Sequence, residues 1–145
     1  MAFRHDHEIE IDAPAATVWE VLTDFDAYRD WNPFARDVRC ELRPGGAIDM
    51  QVALVGRRTF RQREFVNSVA PGEGFSYSMK PAPGGLLRSR RDQRVVDLGS
   101  GRSRYTSHFE IIGPLSPVVA GLLGRALRRG FDANVAALKQ RAEGR

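Results

Sequence analysis

The chain has 145 residues, 42% hydrophobic and 28% charged, with a formal charge of +4. That is the length of one domain, able to bury roughly 70% of the surface its unfolded chain exposes, and the composition excludes disorder over most of it. The lone Cys40 excludes an intramolecular disulfide framework or a cysteine-based zinc cluster, and no apolar run nears the roughly 18 residues that span a bilayer.

Phe3 to Ile11 alternates: Phe3, His5, His7, Ile9 and Ile11 share one face, with Arg4, Asp6, Glu8 and Glu10 on the other. Period two with one charged face predicts a half-buried strand. Asp12-Ala13-Pro14 ends it, with Asp12 placed to cap a helix over about residues 14–22 whose apolar stripe is Val18, Trp19, Val21 and Leu22. Thr23-Asp24 then predicts the start of a second short helix carrying Phe25, Tyr28 and Trp31, closed by Asn32-Pro33.

Strand-like runs follow. Val38, Cys40 and Leu42 alternate with charged residues up to the turn Pro44-Gly45-Gly46; Ile48, Met50, Val52 and Leu54 alternate up to a break at Gly56. Residues 58–69 form a longer strand with mixed faces, and Phe75, Tyr77 and Met79 define the next strand before a loop from Pro81 to Gly85. Residues 87–98 and 102–112 read as a hairpin around Gly99-Ser100-Gly101. The period then changes. Ser116-Pro117 resembles a cap and first helical position, and Val119, Leu122, Leu123, Ala126, Leu127, Phe131, Val135 and Leu138 recur at three- and four-residue spacing. A helix over about 117–142 spans roughly 39 Å at 1.5 Å per residue, enough to lie across a curved sheet. Strands in one run with segregated helices predict an α+β domain with an antiparallel sheet, and neither a repeat nor a linker divides residues 1–145.

Four strings, Glu8-Ile9-Glu10-Ile11-Asp12-Ala13-Pro14, Val18-Trp19-Glu20-Val21-Leu22-Thr23-Asp24, Tyr28-Arg29-Asp30-Trp31-Asn32-Pro33-Phe34 and Arg129-Gly130-Phe131-Asp132-Ala133, resemble the SRPBCC superfamily. That group includes START domains, polyketide cyclases and birch-pollen-allergen-like proteins. The resemblance covers nearly the whole chain. It implies a helix-grip fold: a bent seven-stranded antiparallel sheet around a long C-terminal helix, with two short helices after the first strand. It also implies a cavity between sheet and helix for a small hydrophobic molecule, lipid- or polyketide-like.

By period, Met50, Val52, Phe60, Phe75, Tyr77, Met79, Tyr105, Phe109, Phe131 and Leu138 face inward. Periodicity does not separate a cavity wall from a filled core; the resemblance favours the wall. Arg91, Gln93 and Val95 share one strand face, and Arg90, Asp92 and Arg94 the other. Relatives are expected to carry a glutamate, a histidine and an aromatic near 90–93, so this segment departs from the pattern. If Arg91 faces the cavity it suits a forked contact with a carboxylate or phosphate; otherwise it belongs to a solvated arginine face, to which Arg61 and Arg63 add. Glu64, with Gln62, falls on the Phe60 and Val66 face, where a cavity would raise its pKa and suit it to acid–base work; the alternative is a bulge that turns it to a surface arginine. Asn134 lies three residues after Phe131 and four before Leu138, either a cavity hydrogen-bonding group or a helix-edge residue.

His5 and His7 share a strand face, but no third metal ligand is evident, His108 lies on the face opposite Tyr105 and Phe109, and a frayed terminus is the simpler expectation. Cys40 reads as a small core residue. Gly121, Gly124 and Gly130 on the long helix imply close approach to another element or room for a ligand. Phosphate-loop, dinucleotide and zinc-protease motifs are absent from the sequence, so no cofactor and no metal are expected. Nor is a nucleic-acid partner, because a net charge of +4 is mild. Residues 1–7 lack the apolar core of a signal peptide, and a cytoplasmic location is expected. The first functional expectation is binding of a small hydrophobic ligand. The second is a cyclase or dehydratase using Glu64 as acid or base with Arg91 stabilising charge. The third is an interaction or membrane-surface module built on Leu122, Leu123 and Leu127 with Arg125, Arg128 and Arg129.

Overall fold

Alternation along Phe3–Ile11 produces strand β1 (Ala2–Ile11), and it pairs with β7 (Arg102–Ile112) over its whole length, from Ala2 opposite Ile112 to Ile11 opposite Ser103. The computed structural model describes residues 2–55 and 58–144. Between these strands come α1 (Ala15–Thr23), a 3-10 turn (Phe25–Ala27), α2 (Tyr28–Trp31), β2 (Ala35–Cys40), β3 (Ala47–Val55), β4 (Arg58–Ala70), β5 (Gly74–Met79) and β6 (Arg88–Gly99). A helix, α3 (Ser116–Glu143), follows β7. The sheet has seven antiparallel strands in the order β1-β7-β6-β5-β4-β3-β2. The α+β helix-grip architecture is therefore present. The expected break at Gly56 lies outside the described residues.

The local signals mostly mark true boundaries. Gly99, Ser100 and Gly101 take φ values of 81°, 57° and 74°, a left-handed run that favours glycine at both ends of the β6–β7 hairpin. The second strand differs from its expected span: it starts at Ala35 and stops at Cys40, leaving Leu42 outside. Asp37 at φ 48° shifts its register between Arg36 and Arg39, so side-chain alternation read across that bulge misplaces both ends. Asp12 does not cap α1 with its side chain. Its backbone N–H donates instead to Glu143 Oε2 at 2.8 Å, and Pro14 holds the cap position. Likewise α3 begins at Ser116, with Leu115 as its cap.

Helix α3, about 42 Å long at 1.5 Å per residue, runs alongside β1 in the same direction. Gly124 lies against the Phe3 ring, Asp132 meets His5 and His7, Lys139 Nζ donates to the Glu10 carbonyl at 2.8 Å, and Glu143 holds Asp12. This seats α3 on the inward face of the edge strand β1, and Lys139 satisfies one backbone carbonyl of that strand. Gly130 is required by close approach: a Cβ there would stand 2.2 Å from the Phe34 ring, whereas one at Gly121 would meet open space. The core between sheet and helices gathers Ile11, Val18, Leu22, Tyr105, Phe131 and Leu138 among others. No helix among the described residues is long and apolar enough to cross a membrane.

Candidate functional site

At β6, alternation carries Arg91, Gln93 and Val95 to the concave side and leaves Arg90, Asp92 and Arg94 on the other. Arg91 is only 5% exposed. Its guanidinium Nη2 donates to Asn134 Oδ1 at 2.8 Å, Nη1 to the Tyr77 hydroxyl at 3.2 Å and Nε to Ser107 Oγ at 3.3 Å, and its carbon sits 4.6 Å from the centre of the Phe131 ring. The Tyr105 hydroxyl donates to Gln93 Oε1 at 2.6 Å beside it. No carboxylate among the described residues forms an ion pair with Arg91. A buried charge is normally paired; here three neutral acceptors and an aromatic face share that role. Burial alone would lower its pKa, but the Tyr77 and Tyr105 oxygens hold it above the ordinary arginine value, so it stays charged. Burial in turn raises the Tyr77 and Tyr105 phenols, opposed by Arg91, and both stay neutral.

Asn134 is positioned by α3, buried on the same helix face as Phe131 and Leu138. The solvated reading of Arg91 and the helix-edge reading of Asn134 are both overturned. Arg61 and Arg63 do not join Arg91: they are exposed on the opposite face of β4, where Arg63 Nε donates to Asp49 Oδ1 at 2.6 Å.

The space beside this network is small. Its cavity has a volume of about 20 Å³, room for a single water molecule rather than a drug-sized ligand. Of the expected wall residues, Met50, Phe75, Tyr77, Arg91, Gln93 and Asn134 line it. Val52, Tyr105, Phe109, Phe131 and Leu138 are buried but fill the core around it. Phe60 is a correction: it pairs with Val52 and shares its face, yet is 49% exposed. Burial along that row of β4 rises from Phe60 through half-buried Gln62 and Glu64 to fully buried Val66, so the long strand outruns the covered part of the sheet. Met79 is half-buried and outside the lining. The rest of the wall comes from residues not assigned to it from the sequence, chiefly Phe25, Tyr28 and Trp31 of the segment after α1, with Val38 and Ile48. Their three-residue spacing marked one helix, where the structure has a 3-10 turn and α2; nothing in that spacing shows that the segment lines the cavity. Larger depressions are open to solvent; one, lined by Ser68, Ser76, Arg90, Asp92 and Arg94, also reaches Phe75 and Gln93 but not Arg91.

Glu64 keeps the concave face, opposite Met79, because the bulge in β4 falls later, between Val66 and Ser68. Burial pushes its carboxyl up to about 7, opposed by the Arg91 charge and a hydrogen bond with Gln62. Cys40 is half-buried at the core's margin, and burial pushes its thiol up to about 11, which makes it inert as a nucleophile. The apolar strip expected on α3 is split. Leu127 is buried and Leu123 half-buried, while Leu122 is 79% exposed, because a 3.6-residue period turns 123 and 127 inward together and 122 away. His5 and His7 are not frayed. They sit on the paired length of β1, with Nε2 atoms 2.8 and 2.7 Å from Asp132 Oδ1.

The sequence matches, over residues 2–143, the model of the family described as polyketide cyclase / dehydrase and lipid transport. No curated protein sequence matches it significantly. Among solved structures, the Zhui aromatase/cyclase from Streptomyces sp. R1128 superposes with a TM-score of 0.79 at 20% identity, covering 99% of this chain and 94% of that one. Ara h 8.0201 superposes with a TM-score of 0.74 at 9% identity, covering 100% of both. Norcoclaurine synthase from Thalictrum flavum, in complex with dopamine and hydroxybenzaldehyde, gives a TM-score of 0.68 at 18% identity, covering 97% of this chain and 86% of that one. At these identities the likeness is one of fold.

Proposed function

The chain belongs to the polyketide cyclase / dehydrase and lipid transport family, and from that premise we propose that it binds a small aromatic or polyketide-like molecule whose anionic or carbonyl oxygen seats on Arg91. The observation that carries this reading is a buried guanidinium held by three neutral acceptors, with no carboxylate among the described residues paired to it. Of its five N–H donors, three are engaged by these acceptors and Tyr105 acts on the group as well, so at most two are left for a ligand oxygen. The lining supplies apolar and aromatic walls, so burial provides affinity and the guanidinium provides orientation. A cavity of about 20 Å³ means that the ligand enters by displacing the Phe25–Trp31 segment, whose two short helical turns lack side-chain caps.

Trp31, half-buried, lines the cavity and reports entry by its fluorescence. Titration with 1-naphthoate and with its uncharged methyl ester tests the reading. The acid is expected to bind about tenfold or more tightly than the ester, since a hydrogen bond to a charged group contributes about 1.5–3 kcal/mol. Equal affinities, or no binding of either, would overturn it.

A second reading, proton transfer during cyclisation or dehydration, is favoured by Glu64. A carboxyl with a pKa of about 7 on the same concave face as Arg91, though outside the cavity lining, is poised between acid and base at neutral pH. The same burial affects stability. Raised from 4.5 to about 7, Glu64 holds its proton in the folded chain while the unfolded chain has lost it. Stability is then fullest below about pH 4.5 and falls as pH rises through 7. Glu64→Gln removes that slope. Relative to the variant, the native chain should lose about 1–3 kcal/mol between pH 4.5 and 8, measured by urea unfolding, the upper limit following from about 1.4 kcal/mol for each tenfold change in proton affinity. Identical pH profiles would return Glu64 to an ordinary carboxylate and withdraw it as the acid–base group.

A further inference from the structure

Midway along the seam where α3 covers β1, three potential ligand groups converge from distant parts of the chain. His5 and His7, two apart on β1, send both Nε2 atoms to one oxygen of Asp132 on α3, at 2.8 and 2.7 Å. The two rings stand edge to face with centres 4.6 Å apart, and one ligand atom from each of the three residues lies within 4.8 Å of the others. The imidazoles are largely sheltered, 15% and 14% exposed, whereas the carboxylate is 60% exposed and open to an arriving ion. We propose that His5, His7 and Asp132 form a binding site for a divalent transition-metal ion of the zinc class.

The chemistry follows from the atoms. Two imidazole nitrogens and a carboxylate oxygen suit Zn²⁺, which binds nitrogen at about 2.0–2.1 Å and carboxylate oxygen at about 2.0–2.2 Å. The carboxylate oxygen now accepts from two N–H groups at once. An ion placed among the three replaces both N–H···O contacts with coordinate bonds: each Nε2 releases its proton to solvent and each ring takes one up on Nδ1, so the neutral imidazole changes tautomer. For His7 that atom is buried and without a hydrogen-bond partner among the described residues, so the change costs it no contact. For His5 it is not free: Arg128 Nη1 stands 3.2 Å from Nδ1 and would face a donor once Nε2 is metallated. Arg128 is exposed and already lies over the Phe3 ring at 4.8 Å, so it can withdraw. Arg128 thus acts as a competing cation for the same corner. Three protein ligands leave a fourth position for water. The ion would tie β1 to α3 across 125 to 127 residues of chain, clamping the helix to the sheet edge.

The test uses the full chain without a polyhistidine tag. Zn²⁺ is titrated in competition with a chromophoric chelator, Co²⁺ by its visible absorption, and Tm is followed in parallel. One equivalent is expected to bind in the micromolar range, and saturation to raise Tm by about 5–10 °C at ~100-fold over Kd. Asp132→Asn and His7→Gln should each weaken binding about tenfold or more. Arg128→Gln should tighten it several-fold, an effect that a structural role for the cluster does not predict. His108→Ala should leave binding unchanged, because His108 pairs with Asp6 on the other face. Asp132 is exposed, so its variant folds and remains informative. Failure to bind in the micromolar range, or binding that ignores Asp132→Asn and Arg128→Gln alike, would overturn the assignment.

Discussion

In an Arg91→Gln variant, affinity for 1-naphthoate falls about 10- to 100-fold while affinity for the methyl ester changes less than about threefold. The asymmetry follows from where the charge sits. Arg91 touches Tyr77, Asn134, Ser107 and the Phe131 face, and none of these carries a formal charge to satisfy it. Glu64 acts on Arg91 without an ion pair and is only part-ionised near neutral pH, so an incoming carboxylate is the first counter-charge in direct contact with the guanidinium, in surroundings where water does not screen it. Glutamine preserves a donor for Asn134 but no positive charge, so only the acid loses. Arg91→Lys separates charge from shape: a point charge without the planar fork should recover part of the acid's advantage. Stability falls in Arg91→Gln by about 1–3 kcal/mol, as buried Tyr77 and Ser107 lose a donor. If acid and ester lose affinity equally, the guanidinium shapes the wall without reading the ligand's charge, and the proposed orientation fails.

The elements were legible because each rests on a strong local pattern. The alternation of Phe3 to Ile11, the Gly-Ser-Gly hairpin and the apolar spacing of Val119 to Leu138 each gave an element within a few residues of its true span. What failed was of two kinds. Asp37 adopts a positive φ that its side chain does not announce, so the bulge that moves β2 was invisible. Phe60 obeys its period perfectly and is still exposed, because alternation assigns a face but does not say how far along that face the cover extends. The same gap hid the size of the cavity. Period placed Tyr105, Phe109 and Leu138 inward, but whether they bound a space or fill it depends on packing between elements distant in sequence.

The polar residues divide along the same line. The concave face of Arg91 followed from its parity with Gln93 and Val95, yet the choice between solvent and core needed Asn134, 43 residues away. Asp132 was the harder case. It sits on the polar side of α3, and nothing local distinguishes it from Asp6 or Glu8, which pair across the sheet surface with His108 and Arg104. Only the parallel run of α3 along β1 brings it to His5 and His7. Long-range register, set by the whole fold, is what a single sequence encodes least directly.

Phe131→Ala should lower stability by about 3–5 kcal/mol, and Tm by about 10 °C or more, because three independent contacts converge on this one ring. Phe109 packs 4.5 Å away, Phe34 lies 4.8 Å away, and the Arg91 guanidinium sits 4.6 Å above its face. The Phe34 contact cannot be restored by simple collapse: Gly130, next in the chain, already lets that ring approach as closely as the α3 backbone allows. The truncation therefore leaves a void beside a charged group. Losing the aromatic face also removes about 0.5–2 kcal/mol of cation–π attraction, so a double-mutant cycle with Arg91→Gln should show coupling of that order. Phe131→Leu, which keeps most of the volume but not the ring face, should retain more stability while losing the same coupling. Leu122→Ala, exposed on the same helix, should stay within about 0.5 kcal/mol and serves as the control. Because the void is apolar on the Phe34 and Phe109 side, benzene should bind there and return part of the lost Tm. A loss below about 1 kcal/mol in Phe131→Ala, measured by urea unfolding, would mean that α3 is not seated on the sheet through this residue. The Arg91 pocket would then lose the aromatic face that stands in for a counter-ion.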